Sequence, residues 1–228
     1  MIDAVLFDLD DTLYPQAEWL GGAWAAVALR AGELGAPENS LRAALEAVAA
    51  EGTDRGHIID RALATIGRSD VPVAPLVAAF RSHAPTRLRP YPGVRFALEQ
   101  MRQRVPIGLV TDGDPAIQRS KIDALRLDFD TIVFSDQLGR AHRKPDPAPL
   151  ELALERLGVT AEHAVMIGDR PGKDVAAARA VGMRAVRVRT GEYADLPDDP
   201  APWRSLPDVA AACALLDTLL PRRAVSRV

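Results

Sequence analysis

The sequence predicts an α/β protein in which a parallel sheet carries helices on both faces and a small all-helical unit follows the first strand. Three observations predict this class. The apolar run at residues 4–7 ends in acidic residues, as a buried parallel strand does at a functional edge. Residues 16–83 show helical spacing without a convincing strand, and from residue 92 onward apolar runs alternate with helical stretches.

Four helices are expected in the inserted unit, over residues 16–31, 41–50, 55–66 and a last one that ends near residue 83. Thr53 and Asp54 are suited to cap the third helix, and Pro75 falls in the first turn of the fourth. The proline-rich stretch 85–92 then returns the chain to the sheet as a stiff linker.

After residue 92 the pattern is a Rossmann-like repeat of strand and helix. Strands are predicted over 105–110, 131–134, 164–167 and 185–188. Helices are predicted over 93–104, 115–127, 147–157, 174–181 and 206–220. Residues 1–13 and 90–228 should therefore form the catalytic α/β core, and residues 14–89 a separate helical domain.

Composition narrows the class of protein. The net charge of −3, with 26% charged residues, gives no basic field of the kind that nucleic acids bind, so we expect no nucleic-acid partner. The single cysteine, Cys213, excludes an internal disulfide and indicates a packed thiol in a reducing compartment. Asp8 and Asp10 interrupt the first apolar run far short of a membrane span. These features predict a cytoplasmic protein without a membrane partner and leave its oligomeric state open.

Two acids stand at the end of the first strand. Asp8 and Asp10 would share a face if the strand continued, and a turn at Asp10 would instead aim its side chain back over Asp8. Either geometry brings two carboxylates together. One would attack a substrate, while the other, its pKa raised by its neighbour, holds a proton for a leaving group.

Further strand ends carry compatible groups. The hydroxyl of Thr111 precedes a turn at Asp112 and Gly113, Lys144 lies in a loop, and Asp169 ends a later strand. In open α/β sheets such carboxyl ends form the site of chemistry. Phosphoryl transfer through a carboxylate needs this set: a nucleophile, a hydroxyl and backbone N–H groups for the phosphoryl oxygens, an ammonium, and acids for a metal.

Electrostatics favours a divalent cation at this site. Several carboxylates that face a phosphate repel one another in a low-dielectric cleft, and one lysine cannot neutralise them all. Oxygen ligands are those that Mg²⁺ prefers, and the four histidines are scattered along the chain rather than clustered as in zinc sites.

At these positions the sequence resembles the haloacid dehalogenase superfamily. DLDDT at 8–12 is similar to its first motif, Thr111 to its second, Lys144 in RKPDP to its third, and GDRPGKD at 168–174 to its fourth. The resemblance covers nearly the whole chain and is closest to the phosphatase branch with a helical cap after the first motif, here residues 14–89. It implies Mg²⁺-dependent hydrolysis of a small phosphate monoester, such as a sugar phosphate or a nucleotide, through an aspartyl-phosphate.

The resemblance also implies a role for each motif residue. Asp8 would be the nucleophile, and Asp10 the general acid and then the base for the hydrolytic water. The phosphoryl group would be held by Thr111 and Lys144, beside the turn at Asp112 and Gly113. The metal ligands would be Asp8, Asp10 through its backbone carbonyl, and Asp169, with Asp174 supporting the metal shell or Lys144. The superfamily often has glycine where this chain has Asp11, so the role of Asp11 is open.

Three other readings remain open. A phosphomutase shares the aspartyl-phosphate and the acid/base, whereas dehalogenases of the same superfamily lack a carboxylate at the place of Asp10. A signalling receiver carries its acceptor Asp on a later strand and has no helical insertion of this size. A non-catalytic phosphate-binding relative is disfavoured because all the motif residues are present together.

Substrate selection is expected from the helical insertion, acting as a mobile lid beside the nucleophile strand. Its candidate contact surface is the polar start of the third helix, with Asp54, Arg55 and His57.

Overall fold

The computed structural model describes residues 1–53 and 56–220, in which six strands form one parallel sheet of order β3-β2-β1-β4-β5-β6. The strands are β1 Ala4–Phe7, β2 Ile107–Thr111, β3 Thr131–Phe134, β4 Ala164–Gly168, β5 Arg184–Val188 and β6 Arg204–Leu206. In register, Leu6 of β1 pairs with Gly108 of β2 on one side and with Met166 of β4 on the other. The prediction of a parallel sheet is confirmed, and β1, the strand that ends in the acids, is one of its two central strands.

The chain divides into two compact units, Met1–Pro15 with Arg89–Val228 and Gln16–Leu88. The second unit is helical in its described residues, with α1 Gln16–Glu33, α2 Glu38–Ala50, α3 Ile58–Thr65 and α4 Val73–Ser82. It has a hydrophobic core of its own, in which Leu41, Leu63 and Leu76 have almost no exposed surface. The ring of Phe80 packs 4.8 Å from that of Trp24 between α4 and α1.

The sheet unit holds α5 Val94–Arg102, α6 Pro115–Leu125, α7 Ala148–Leu157, α8 Ala176–Ala180 and α9 Val209–Leu219. Side chains of Leu6 and Met166 join one core cluster with α7 and α8. Because side chains alternate along a strand, the neighbouring residues point to the opposite face. Asp114 caps the start of α6, because its carboxylate accepts hydrogen bonds from the backbone N–H groups of Ala116 and Ile117.

Two predicted helix starts lie three residues too early. The third helix begins at Ile58 rather than at residue 55, because Gly56 and His57 both have positive φ and cannot continue a right-handed helix. The last helix begins at Val209 with Asp208 as its cap, and Leu206 instead ends the short strand β6. Pro207 explains the second error, since the residue before a proline favours an extended backbone.

Cys213 is buried on α9, as predicted for a packed thiol, and burial raises its pKa to about 12. Among the residues described, none of the helices has the length and hydropathy that crossing a membrane requires.

Candidate active site

Four sequence-predicted residues meet at the carboxyl edge of the sheet, where β1, β2 and β4 lie side by side. Asp8 follows β1, Thr111 ends β2 and Asp169 follows β4, and all three are buried. Asp174 lies in a single π-helical turn, Pro171–Val175, directly after β4. Ligand oxygens of Asp8, Asp169 and Asp174 all lie within 4.8 Å of one another. The sheet topology therefore concentrates carboxylates that are up to 166 positions apart in the chain.

Lys144 places a positive charge inside this cluster. Its Nζ donates to Asp8 Oδ1 at 2.5 Å, to Asp174 Oδ1 at 2.7 Å and to the carbonyl of Val110 at 3.1 Å. Burial by itself lowers the pKa of Lys144, but the charges of Asp174 and Asp8 outweigh burial and hold that pKa above its ordinary value. Lys144 is therefore a fixed ammonium that touches Asp8.

Asp8 is a buried carboxylate whose residue is 7% exposed. Burial raises its pKa to about 7 although Lys144 opposes that rise, and the charge of Asp174 adds to it. The hydroxyl of Thr12 lies 3.2 Å from Asp8 Oδ2 and 3.2 Å from Asp169 Oδ1, so it donates to one of them at a time. Thr12 thus lies between two carboxylates that follow different strands.

Asp169 has an oxygen that suits a cation. Its Oδ2 is buried, and nowhere in residues 1–53 and 56–220 does a group donate a hydrogen bond to it. Burial and the charges of Asp174 and Asp8 raise the pKa of Asp169 well above its ordinary value. A buried carboxylate oxygen without a donor is costly unless a cation binds there. The residues present therefore fit a hard divalent ion with oxygen ligands.

The carboxylate of Asp10 binds three side chains outside the cluster, those of Lys121, Tyr14 and Gln118. Lys121 Nζ lies 2.8 Å from both carboxylate oxygens, Tyr14 Oη donates to Oδ1 at 2.5 Å, and Gln118 Nε2 donates to Oδ2 at 3.0 Å. Burial alone would raise the pKa of Asp10, but the charge of Lys121 and these hydrogen bonds lower it below its ordinary value. The expectation that Asp8 raises the pKa of its neighbour is therefore wrong for Asp10.

Thr111 and the turn after it adjoin Lys144. Thr111 Oγ1 accepts a hydrogen bond from Gln118 Nε2 at 2.6 Å. Asp112 Oδ1 accepts from Ser135 Oγ at 2.8 Å and from the backbone N–H of Lys144 at 3.1 Å. The carboxylate of Asp112 therefore fixes the loop that carries Lys144, and the turn continues through Gly113 with a φ of 124°.

The candidate specificity residues belong to the helical unit Gln16–Leu88. Asp54 and Arg55 lie outside the described residues. The side chain of His57 is 83% exposed and lies 3.8 Å from Asp60 at the start of α3.

Sequence reasoning missed Lys121 and Gln118. They lie three residues apart on α6, and residues with that spacing share one helix face. The signal was present as a lysine and a glutamine shortly after Thr111, but nothing local showed that this face of α6 turns toward Asp10. Tyr14 was also missed, although it lies only four residues after Asp10 and its hydroxyl donates to Asp10 Oδ1.

Known proteins are similar to this chain over most of its length. The family model described as haloacid dehalogenase-like hydrolase matches residues 2–182. A glyceraldehyde 3-phosphate phosphatase of Methanopyrus kandleri is 37% identical over 89% of this chain and 91% of its own length. A phosphoglycolate phosphatase of Rhodospirillum rubrum is 35% identical over 84% of this chain and 81% of its own length.

Among solved structures, a 2-haloacid dehalogenase of Pseudomonas syringae superposes with a TM-score of 0.64. It is 28% identical, and the match covers 96% of this chain and all of that one.

Proposed function

Because this chain belongs to the haloacid dehalogenase-like hydrolases, we propose that it is a phosphatase that hydrolyses a small phosphate monoester through an aspartyl-phosphate. The observation that carries the proposal is the buried group of Asp8, Asp169 and Asp174 around the ammonium of Lys144. Relatives named as phosphatases of glyceraldehyde 3-phosphate and phosphoglycolate support the substrate class.

Mg²⁺ is the proposed cofactor. Asp8, Asp169 and the backbone carbonyl of Asp10 would hold it, with Asp174 accepting from Lys144 and so supporting the shell. When bound, the ion neutralises the charge of the carboxylates and of the substrate phosphate. The buried Oδ2 of Asp169, for which the described residues supply no donor, is the atom that most favours this assignment.

Asp8 is the proposed nucleophile. Its carboxylate attacks phosphorus, so that a bond from carboxylate oxygen to phosphorus forms while the bond to the leaving alcohol oxygen breaks. Lys144 is held 2.5 Å from Asp8 Oδ1 and would follow the charge onto the phosphoryl oxygens. The hydroxyl of Thr111 and the backbone N–H groups of Asp112 and Gly113 would hold the same oxygens.

Asp10 is the proposed acid and base. It would give its proton to the leaving alcohol, then take one from the water that attacks the aspartyl-phosphate, which releases phosphate and restores Asp8. The ion pair with Lys121, at 2.8 Å, stabilises the ionised form that acts in the second step. Protonation for the first step must therefore accompany loosening of that ion pair.

Dehalogenation is the competing activity, since one similar structure is a 2-haloacid dehalogenase. Displacement of halide from carbon needs no protonated leaving group, yet three side chains of this chain are arranged to hold the carboxylate of Asp10. That arrangement favours the phosphatase over the dehalogenase. A phosphomutase would share this arrangement and would be identified by an essential sugar bisphosphate activator.

We also propose that the helical unit Gln16–Leu88 is the cap that selects small soluble substrates. The chain supports this by position, because the unit is inserted between Pro15 and Arg89, three residues after the acidic motif at 8–12. The proposal predicts that a folded phosphoprotein is not a substrate.

The test of the proposed function measures phosphate release from a panel of small phosphorylated metabolites and from an aryl phosphate. Asp8→Asn should lose at least about a thousandfold in kcat/KM, because an amide cannot attack phosphorus. Asp10→Asn should slow alkyl phosphates about 10²–10⁴-fold and the activated aryl phosphate less. Asp3→Asn, a half-exposed position five residues before Asp8, is the matched control and should behave as the parent.

Two results would overturn the proposal. One is undiminished phosphate release by a folded Asp8→Asn protein. The other is halide release from 2-haloacids by a parent protein that leaves every phosphate ester intact.

A further inference from the structure

Arg187 is an arginine in a strand that is otherwise apolar in its second half. It lies on β5, where its whole residue has no exposed surface, between the buried Val186 and Val188. A buried guanidinium costs several kcal/mol unless hydrogen bonds and a counter-charge satisfy it. Its partners therefore show what the chain gains from it.

The guanidinium joins Asp169 to a segment after β5. Its Nε donates to the carbonyl of Asp169 at 3.3 Å. One terminal nitrogen donates to the carbonyl of Leu196 at 2.7 Å and to Asp198 Oδ1 at 2.5 Å, and the other to the carbonyl of Tyr193 at 2.7 Å. Asp198 supplies the counter-charge, and backbone carbonyls take the remaining donors.

The sheet register explains how Arg187 reaches Asp169. Gly168, the last residue of β4, is paired with Arg187 in the parallel ladder. The arginine side chain therefore starts level with the residue before Asp169 and needs only to extend along the strand direction. The contact depends on pairing across strands, not on any local sequence pattern.

Residues 190–198, which we term the strap, are also held at their start. Thr190 Oγ1 donates to the carbonyl of Asp11 at 2.5 Å, and the backbone N–H of Glu192 donates to Asp11 Oδ2 at 3.2 Å. Asp11 takes a left-handed backbone with a φ of 58°, a conformation that Asp tolerates better than most residues. The strap thus connects the first acidic motif, through Asp11, to Asp169, through Arg187.

We propose that Arg187 is a positioning residue that fixes the backbone of Asp169 and thereby sets the affinity of the site for Mg²⁺. This rests on the proposed function, in which Asp169 is a metal ligand. Loss of the guanidinium would remove the hydrogen bond to the carbonyl of Asp169 and would let the ligand backbone shift. The carbonyls of Leu196 and Tyr193 would keep other donors, Arg189 Nη1 at 3.4 Å and the backbone N–H of Leu196 at 3.1 Å. Substrate binding at saturating metal should change little, because Arg187 contacts backbone and strap rather than the phosphoryl site.

Arg189, the residue before the strap, offers a matched control because it also binds the strap. Its guanidinium donates to the carbonyl of Ala194 at 3.0 Å, to Asp198 Oδ2 at 3.0 Å and, through Nε, to Ser205 Oγ at 3.0 Å. Its removal loosens the strap from the exposed side and keeps the hydrogen bond from Arg187 to Asp169.

The experiment titrates Mg²⁺ into chelator-treated, folded protein by calorimetry, with no substrate present. Arg187→Met should weaken Mg²⁺ binding about 10–100-fold, the usual cost of losing a group that orients a metal ligand. Arg187→Lys, which restores a cation but not the planar fork, should recover part of that loss. Arg189→Met should stay within about threefold of the parent, well short of that cost. The KM for substrate at saturating Mg²⁺ should be unchanged in all three variants.

Asp169→Ala separates this inference from the proposed function. If Asp169→Ala binds Mg²⁺ as the parent does, the metal assignment itself fails. If Asp169→Ala loses binding while Arg187→Met keeps it, only the positioning role is refuted. If Arg187→Met does not fold, Arg187→Lys decides: weakened Mg²⁺ binding with normal KM supports the role, and parental Mg²⁺ binding refutes it.

Discussion

The same substitution at two neighbouring acids should change stability in opposite directions. In metal-free protein at pH 8, Asp8→Asn should stabilise the sheet unit and Asp10→Asn should destabilise it. The reason is that burial raises the pKa of Asp8 to about 7, whereas Lys121 outweighs burial and lowers the pKa of Asp10. The ionised carboxylate of Asp8 therefore destabilises the folded state, and that of Asp10 stabilises the folded state.

The magnitude for Asp8 follows from linkage. Its pKa is 3.8 when unperturbed and about 7 in the folded state. Between these values the unfolded chain releases a proton that the folded chain holds, so the free energy of unfolding falls as pH rises. A tenfold shift in a proton equilibrium is about 1.4 kcal/mol, so the full cost above the folded pKa is about 4 kcal/mol. At pH 5 less than half of that cost is present.

For Asp10 the sign is reversed. A lowered folded pKa means that the ionised carboxylate stabilises the folded state above the unfolded pKa, and that this stability is lost as pH falls through the folded pKa. Asp10→Asn removes that contribution at pH 8, together with the carboxylate that pairs with Lys121.

Native-state hydrogen exchange of the β1 and β4 amides, in chelator at pH 5 and pH 8, reports the stability of the sheet unit directly. The gain from Asp8→Asn should be larger at pH 8 than at pH 5, and Asp3→Asn controls for the loss of a surface acid. The reasoning is refuted if Asp8→Asn is no more stable than the parent at pH 8, or if both substitutions change stability with the same sign.

Three further outcomes are expected. Lys121→Met should raise the pKa of Asp10 in metal-free protein, measured by carboxyl ¹³C shifts across pH, and an unchanged titration would contradict the ion pair. Gly191→Ala should destabilise the protein more than Gly182→Ala, as measured by urea unfolding. Both glycines have positive φ, which costs alanine about 1–2 kcal/mol, but only at Gly191 would the methyl group overlap the Asp11 side chain. An equal loss of stability in the two variants would contradict the contact. Mg²⁺ at a hundredfold excess over its dissociation constant should raise the free energy of unfolding by about 2.7 kcal/mol. Ca²⁺ should support turnover poorly. Full turnover after exhaustive chelation would contradict the metal requirement.

The sequence determined where the candidate site lies. Asp8, Thr111 and Asp169 each follow an apolar run of strand length, and parallel strands deliver their carboxyl ends to one edge. That inference needs only local periodicity and one topological rule. Lys144 was predicted as the ammonium of the site from its place in a loop between strands, and the structure places its Nζ 2.5 Å from Asp8 Oδ1. The roles assigned to these residues stay predictions until the substitutions are measured.

The sequence determined the ends of the helices less well than the position of the candidate site, because a helix end depends on the backbone angles of single residues. The left-handed backbone at Gly56 and His57 moved the start of α3, and the short edge strand β6 displaced the start of α9. The residues at these two helix starts show no periodic pattern from which the starting residue could be predicted.

Only the tertiary structure decided the electrostatics of the two acids. From sequence, Asp8 was the natural perturber of Asp10, yet Lys121, 111 positions away, lies 2.8 Å from its carboxylate and lowers its pKa instead. Likewise Arg187 looked like a strand residue of no special kind until the register placed it beside Gly168. The pKa of a buried group depends on which charges lie within a few ångströms of it, and that distance is set by how helices face the sheet and how strands pair, which no local pattern of residues encodes.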